Sequence, residues 1–144
     1  MCARHVRVAY THATEWDPET GGSARRQVAL IPRHAASIVT SVENEGMSRV
    51  AMELYYTGRQ TLDDNPYRTH SRPYLIFGLL GERAFETRLG RARVFLNAEN
   101  LLDVRQTRVD PLVLPSPGLG GRRTTDVWSL LEGRTSNAGV RLAF

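Results

Sequence analysis

Lysine is missing from this chain: all 19 basic residues are arginine, set against 15 acidic ones, for a net charge of +4. A nucleic-acid surface would gather such cations on one patch with aromatics between them. Here they are scattered from Arg4 to Arg141, adjacent only at Arg25-Arg26 and Arg122-Arg123, so nucleic acid is not an expected partner. Cysteine occurs once, at Cys2, which excludes a disulfide within the chain. No apolar run approaches the ~18–20 residues of a transmembrane helix. That absence excludes helical membrane proteins but not β-barrels, whose strands bury only alternate residues. Around Met1-Cys2 there is no charged n-region and no apolar h-region, so this is neither a signal peptide nor a lipoprotein signal.

Catalytic patterns are absent too. No Gly-x-Ser-x-Gly and no His-Glu-x-x-His occurs. The run Gly118-Leu119-Gly120-Gly121-Arg122-Arg123 lacks the preceding strand, the lysine and the following helix of a phosphate-cradling loop. Cys2, His5 and His12 fit no standard zinc spacing, and a strand would put His5 and His12 on opposite faces. Asp63 with Asp64, and Glu99 with Asp103, read as solvated loop and lumen-side carboxylates rather than acid/base pairs. The expectation is no enzyme, no cofactor and no metal site.

What the chain does have is alternation. At 144 residues and 41% hydrophobic content, with mean hydropathy −0.35, it is one domain in length and not disordered in composition. At its end, Ala138, Val140, Leu142 and Phe144 fall on one face, opposite Asn137, Gly139, Arg141 and Ala143. The same period predicts strands near 4–12, 35–43, 49–58, 72–83, 92–103 and 137–144. In the third, Val50, Met52, Leu54 and Tyr56 oppose Arg49, Ala51, Glu53, Tyr55 and Thr57. In the second, Val39 breaks the pattern. In the fifth, Val94, Leu96 and Ala98 oppose Arg93, Asn97 and Glu99, with Phe95 out of place. The fourth is apolar on both faces (Leu75, Phe77 and Leu79; Tyr74, Ile76 and Leu80), so its orientation is not assigned. Tyr10, Tyr56, Tyr74 and Phe144 are placed on the apolar faces near strand ends, as aromatic girdles would be.

The connections run long, short, medium-long, short, long: about 13–34, 44–48, 59–71, 84–91 and 104–136. Asn44-Glu45-Gly46 is the clearest tight turn. Long loops at one rim and short turns at the other are what outer-membrane barrels display, the long loops being extracellular and the turns periplasmic. Strands of this length also cross the hydrocarbon at a tilt. The predicted fold class is therefore all-β: an antiparallel up-and-down transmembrane β-barrel, represented by about six strands. A soluble β-rich small-ligand-binding module is the alternative. The membrane reading also requires a signal peptide, and so expects the true N-terminus to lie upstream of Met1.

The stretch Phe95-Leu96-Asn97-Ala98-Glu99-Asn100-Leu101-Leu102-Asp103 resembles the "N-x-x-N-L-hydrophobic-D" signature of the penultimate strand in TonB-dependent outer-membrane receptors. The matching residues are Asn97, Asn100, Leu101 and Asp103. The terminal strand Val140-Arg141-Leu142-Ala143-Phe144 is similar to that family's closing strand. Pro32-Arg33-His34 and Tyr55-Tyr56-Thr57-Gly58-Arg59-Gln60 add weaker matches. The resemblance implies a 22-stranded barrel around an N-terminal plug, taking up scarce ligands such as ferric siderophores or cobalamin with energy delivered through TonB. Residues 1–144 would be the C-terminal segment, with the plug and earlier strands absent and transport beyond the fragment alone. It further implies the outer membrane of a Gram-negative bacterium, with lipid, lipopolysaccharide and the barrel-assembly machinery as partners, and TonB only through the missing N-terminal part. Val140, Leu142 and Phe144 would carry the assembly signal. Arg105, Arg108, Arg122 and Arg123 in the last loop would steer an anionic chelate. Asn100 and Asp103 are expected to fix the strand-to-loop turn rather than touch ligand.

Overall fold

The computed structural model describes residues 2–44, 46–63, 65–88, 90–115 and 122–143, those at 114, 115, 122 and 123 by backbone alone. It is all-β and antiparallel. Six long strands form one sheet: β1 (Cys2–His12), β4 (His34–Asn44), β5 (Ser48–Thr57), β6 (Tyr74–Thr87), β7 (Gly90–Glu99) and β10 (Thr135–Ala143). Each pairs with the next in sequence, so the sheet is an up-and-down meander. It does not close: β1 and β10 are its two edges. Two small hairpins sit in the connections. One is β2 (Glu15–Trp16) with β3 (Arg25–Arg26); the other is β8 (Val113–Pro115) with β9 (Arg122–Thr124).

The strands form where alternation is strongest, and hairpin chemistry ends them. Residues 45–47 join β4 to β5, where Gly46 takes φ 72°, a left-handed conformation that costs glycine nothing. The Met47 N–H donates to the Asn44 carbonyl at 3.0 Å. Residues 88–89 join β6 to β7, with Thr87 paired to Gly90. The three other connections, 13–33, 58–73 and 100–134, all leave the opposite rim, as a meander requires.

Register settles what the sequence left unassigned. Pairings of Met52 with Leu79 and Leu54 with Phe77 put the Leu75, Phe77 and Leu79 set of β6 on the face of Val50, Met52 and Leu54. Tyr74 pairs with Thr57 and so lies on the other face. Its ring meets Trp128 at 6.3 Å between centroids, which corrects its expected place in an apolar-face girdle. Phe95, out of pattern by sequence, lies opposite Gly139, and its ring fills the space a Cβ there would need, 2.6 Å away. An aromatic laid over an edge-strand glycine restores packing that the glycine lacks. The fifth strand is also shorter than expected. It stops at Glu99, because Asn100 (φ 49°) and Asp103 (φ 56°) turn left-handed, a conformation Asn and Asp tolerate better than most residues.

Burial is inverted relative to a soluble domain. Within the sheet, the buried apolar residues are only Ala51 and Ala92; Leu62 and Trp128 are buried among the connections. Most of the buried polar residues, among them Gln60, Ser71, Asn100, Asp103, Gln106 and Asp110, lie there too.

Candidate functional site

Two surfaces have the makings of function: the sheet with its opposed faces, and the rim of long connections above it. Across the sheet the register lines up largely apolar rows, with Arg4 at the β1 end of one, Thr40 and Ser136 within another, and Arg83 on the same face between Gly81 and Phe85. Val8, Ile38, Leu54 and Phe77 form one. Val6, Thr40, Met52, Leu79 and Ala98 form the next, and Val42, Val50, Gly81, Leu96 and Ala138 another. Toward the long-loop rim the apolar face ends on Tyr10, Ala36, Tyr56 and Leu75; toward the short turns it ends on Phe85, Ala92 and Leu142. Most of these side chains are exposed or half-exposed, Ala92 being buried. Val8 is 70% exposed, Leu96 57% and Val140 64%. A contiguous apolar surface of six strands far exceeds what a soluble monomer leaves open to water.

The opposite face is mixed: Val39, Tyr74, Ile76, Leu80 and Phe95 share it with charged residues. Arg93 meets Glu82 at 3.0 Å and Arg91 meets Glu86 at 3.4 Å. Arg49 stands in register with both Glu43 and Glu82. Asn97 donates to Glu99 at 2.8 Å. Small residues line its loop-side half, where Ala9, Thr11, Ala35 and Ser37 border a hollow of about 190 Å³ walled by Tyr55.

At the rim, connections 58–73 and 100–134 fold onto each other around buried polar groups. Gln106, fully buried, accepts from the backbone N–H of Trp128 (2.8 Å) and Ser129 (3.3 Å) and donates to the Asp126 carbonyl (2.7 Å). Asp110, 1% exposed, takes an ion pair from Arg68 at 2.7 Å and the indole N–H of Trp128 at 3.1 Å. Gln60 ties the two connections by donating to the Trp128 carbonyl at 2.8 Å. The first connection joins this assembly through Leu30 N–H to the Thr61 carbonyl at 3.0 Å. A buried polar group must find partners or pay its desolvation, and here the partners are other segments of the rim, which fixes the loops in place.

The residues singled out from sequence fall in several separate places. Asn100, Leu101 and Asp103 lie together at the β7 exit. Asn100 donates to the Val104 and Glu132 carbonyls and accepts from Val104 N–H, while Leu101 N–H reaches the Phe77 carbonyl at 2.8 Å. Asp103 binds Arg105 at 2.9 Å, Arg108, and the Arg134 N–H at 3.2 Å. Burial alone would push the Asp103 carboxyl up. The hydrogen bonds from Arg105 and Arg134, with the charges of Arg105 and Arg108, outweigh it and hold the carboxyl below the ordinary range. Arg105 and Arg108 are thus bound into the turn, with their guanidinium groups part-exposed. Asn97 belongs to the polar face, apart from that turn. Val140 and Leu142 lie on the apolar face of β10. Arg122 and Arg123 belong to β9 by backbone alone. Phe144, Asp64 and residues 116–121 lie outside the described residues.

Sequence reading missed the rim network of Gln60, Arg68, Gln106, Asp110 and Trp128. These positions have no periodicity, and only Trp128, a large residue in a polar connection, gave a cue. Among the described residues no group of three or more His, Cys, Asp or Glu stands together as a metal cluster, and no helix is long and apolar enough to cross a membrane, which says nothing of strands. No family model matches the chain, and neither a curated protein nor a solved structure matches it significantly.

Proposed function

We propose that this chain is the C-terminal part of a TonB-dependent outer-membrane receptor barrel, serving uptake of a scarce ligand such as a ferric siderophore or cobalamin. The apolar face meets lipid and the charged face meets the lumen. The three long connections form the extracellular rim, beside lipopolysaccharide. The observation that carries this reading is the exposed, largely apolar face spanning all six strands, set against an opposite face that carries the Arg93–Glu82 and Arg91–Glu86 ion pairs. Water on that face would be costly at about 25 cal/mol per Å²; hydrocarbon would not.

Dimensions support it. On β6 this face runs from Leu75 to Phe85, with Arg83 just inside the short-turn end, and extends about 34 Å along the strand at ~3.4 Å per residue. At a tilt of about 40° that is roughly 26 Å of height, close to the ~25 Å apolar band of outer-membrane barrels. Tyr10 and Tyr56 share one row at the long-loop end. At the other end Arg83 lies over the Phe85 ring at 5.3 Å, an arrangement suited to a cation that reaches for headgroups. Six strands leave both edges unpaired, so transport needs the remaining strands and the plug, and the chain alone is not transport-competent. Val140 and Leu142, with Phe144, would present the assembly signal.

Nitroxide scanning of β5 tests the assignment. In a Cys2→Ser background, single cysteines at 50 through 56 are labelled after refolding into phospholipid bilayers, with strand content checked by circular dichroism. Lipid contact at Val50, Met52, Leu54 and Tyr56 gives high oxygen and low nickel-chelate accessibility, alternating with the reverse at Ala51, Glu53 and Tyr55. Shielding of the even positions from both reagents, as in a protein interior, would overturn it in favour of a soluble module.

A further inference from the structure

Beyond the apolar band, at the long-loop end of the β1–β4 ladder, two of the four histidines meet. His12 is paired with His34 as the last rung, and Tyr10 stands two rungs below, on the same face. The Ala13 N–H donates to the Arg33 carbonyl at 3.1 Å just outside this rung. In an antiparallel ladder that makes His12 and His34 a non-hydrogen-bonded pair, the kind that brings side chains closest. Their ring centroids are 4.9 Å apart with planes at 34°, and both side chains are exposed.

We infer that His12 and His34 form a two-imidazole site for a divalent transition metal ion, zinc or copper, with Tyr10 as the residue that orients one ligand. At a metal–nitrogen distance of about 2.1 Å, two imidazoles on one ion have centroids roughly 4.6–5.3 Å apart for bond angles between about 90° and 109°. The observed separation lies inside that range before any rearrangement. The phenol oxygen of Tyr10 is 2.6 Å from Nδ1 of His34. With Nδ1–H donating to that oxygen, Nε2 keeps its lone pair for the metal, the usual way a neighbouring group sets a ligand's tautomer. Water completes the coordination, so binding is reversible and favours copper over zinc. The bound ion joins β1 to β4 at the base of connection 13–33. The site depends only on the ladder, and stands whether or not the apolar face meets lipid.

The full chain, carrying Cys2→Ser to remove the exposed thiol, is refolded in detergent and titrated with Cu(II). Electron paramagnetic resonance of the bound ion is expected to show superhyperfine splitting from two equivalent nitrogens. His12→Ala and His34→Ala should each reduce it to one nitrogen and weaken binding by more than tenfold. Tyr10→Phe should keep two nitrogens but lower affinity about tenfold. His5→Ala, on the opposite face, and His70→Ala should change nothing. Circular dichroism confirms strand content in each variant, and His12→Phe serves as a second, ring-conserving test should the alanine variant lose structure. A spectrum unchanged in either His12 or His34 variant, or lost equally in His5→Ala or His70→Ala, overturns the site.

Discussion

At the scale of single residues, the connections depend on a few buried polar side chains. Gln106 is the extreme case: one amide satisfies three backbone groups and is fully buried. Gln106→Leu, close in volume, leaves the Trp128 and Ser129 N–H groups without that acceptor. The expected cost is about 2–4 kcal/mol of rim stability, seen as faster amide exchange at those two residues with strand amides unchanged. Asp103 makes a pH prediction. Its folded carboxyl titrates below the ordinary range, so between the folded and unfolded values, the latter about 3.9, the unfolded chain binds more protons. The contribution is therefore complete above that unfolded value and is lost as pH falls through the depressed one. Acid titration of the β7 exit, followed by the Arg134 amide shift, should show a transition below pH ~4 that Asp103→Asn abolishes.

At the scale of elements, each strand is a two-sided object, and on the proposed reading its sides meet different solvents. Met52 and Glu53 are neighbours in sequence and opposites in space. If the Met52 face meets lipid as proposed, Met52→Arg is expected to cost about 2–4 kcal/mol of stability in bilayers, whereas Glu53→Arg should cost well under half of that. Denaturant unfolding in vesicles measures both, and equal effects would remove the distinction between faces. Turns obey local chemistry instead. Gly46 at φ 72° tolerates no side chain without strain of about 1–2 kcal/mol, and Gly46→Val should raise amide exchange at the adjoining ends of β4 and β5. The pairing of Phe95 with Gly139 shows the same strand logic from the other side: a large ring is accommodated because its cross-strand neighbour has none.

At the scale of the whole molecule, an open six-stranded sheet with two free edges and an apolar face has no interior of its own. In detergent-free buffer the chain is expected to associate through that face and those edges. In detergent micelles it should become monodisperse, as light scattering after size exclusion would report. A monodisperse monomer in plain buffer would mean that the apolar surface finds cover within the chain. The rim behaves differently from the sheet, since its connections hold one another by hydrogen bonds rather than by apolar packing.

The amino-acid sequence alone determined the six long strands, their approximate ends and the tight turn at Gly46, because alternation and turn chemistry are properties of neighbours along the chain; the two short hairpins in the connections it left as loop. It extended β7 too far, through Asn100 to Asp103, since a left-handed backbone leaves no mark on an apolar pattern. The orientation of β6, apolar on both faces, was decided only by pairing, where a slip of one residue would exchange every side chain between faces. The same is true of the side of Tyr74, the meeting of His12 with His34, and the rim core of Gln60, Gln106, Asp110 and Trp128. Those groups lie far apart in sequence, and only the register of the ladders and the folding of the connections brings them within reach.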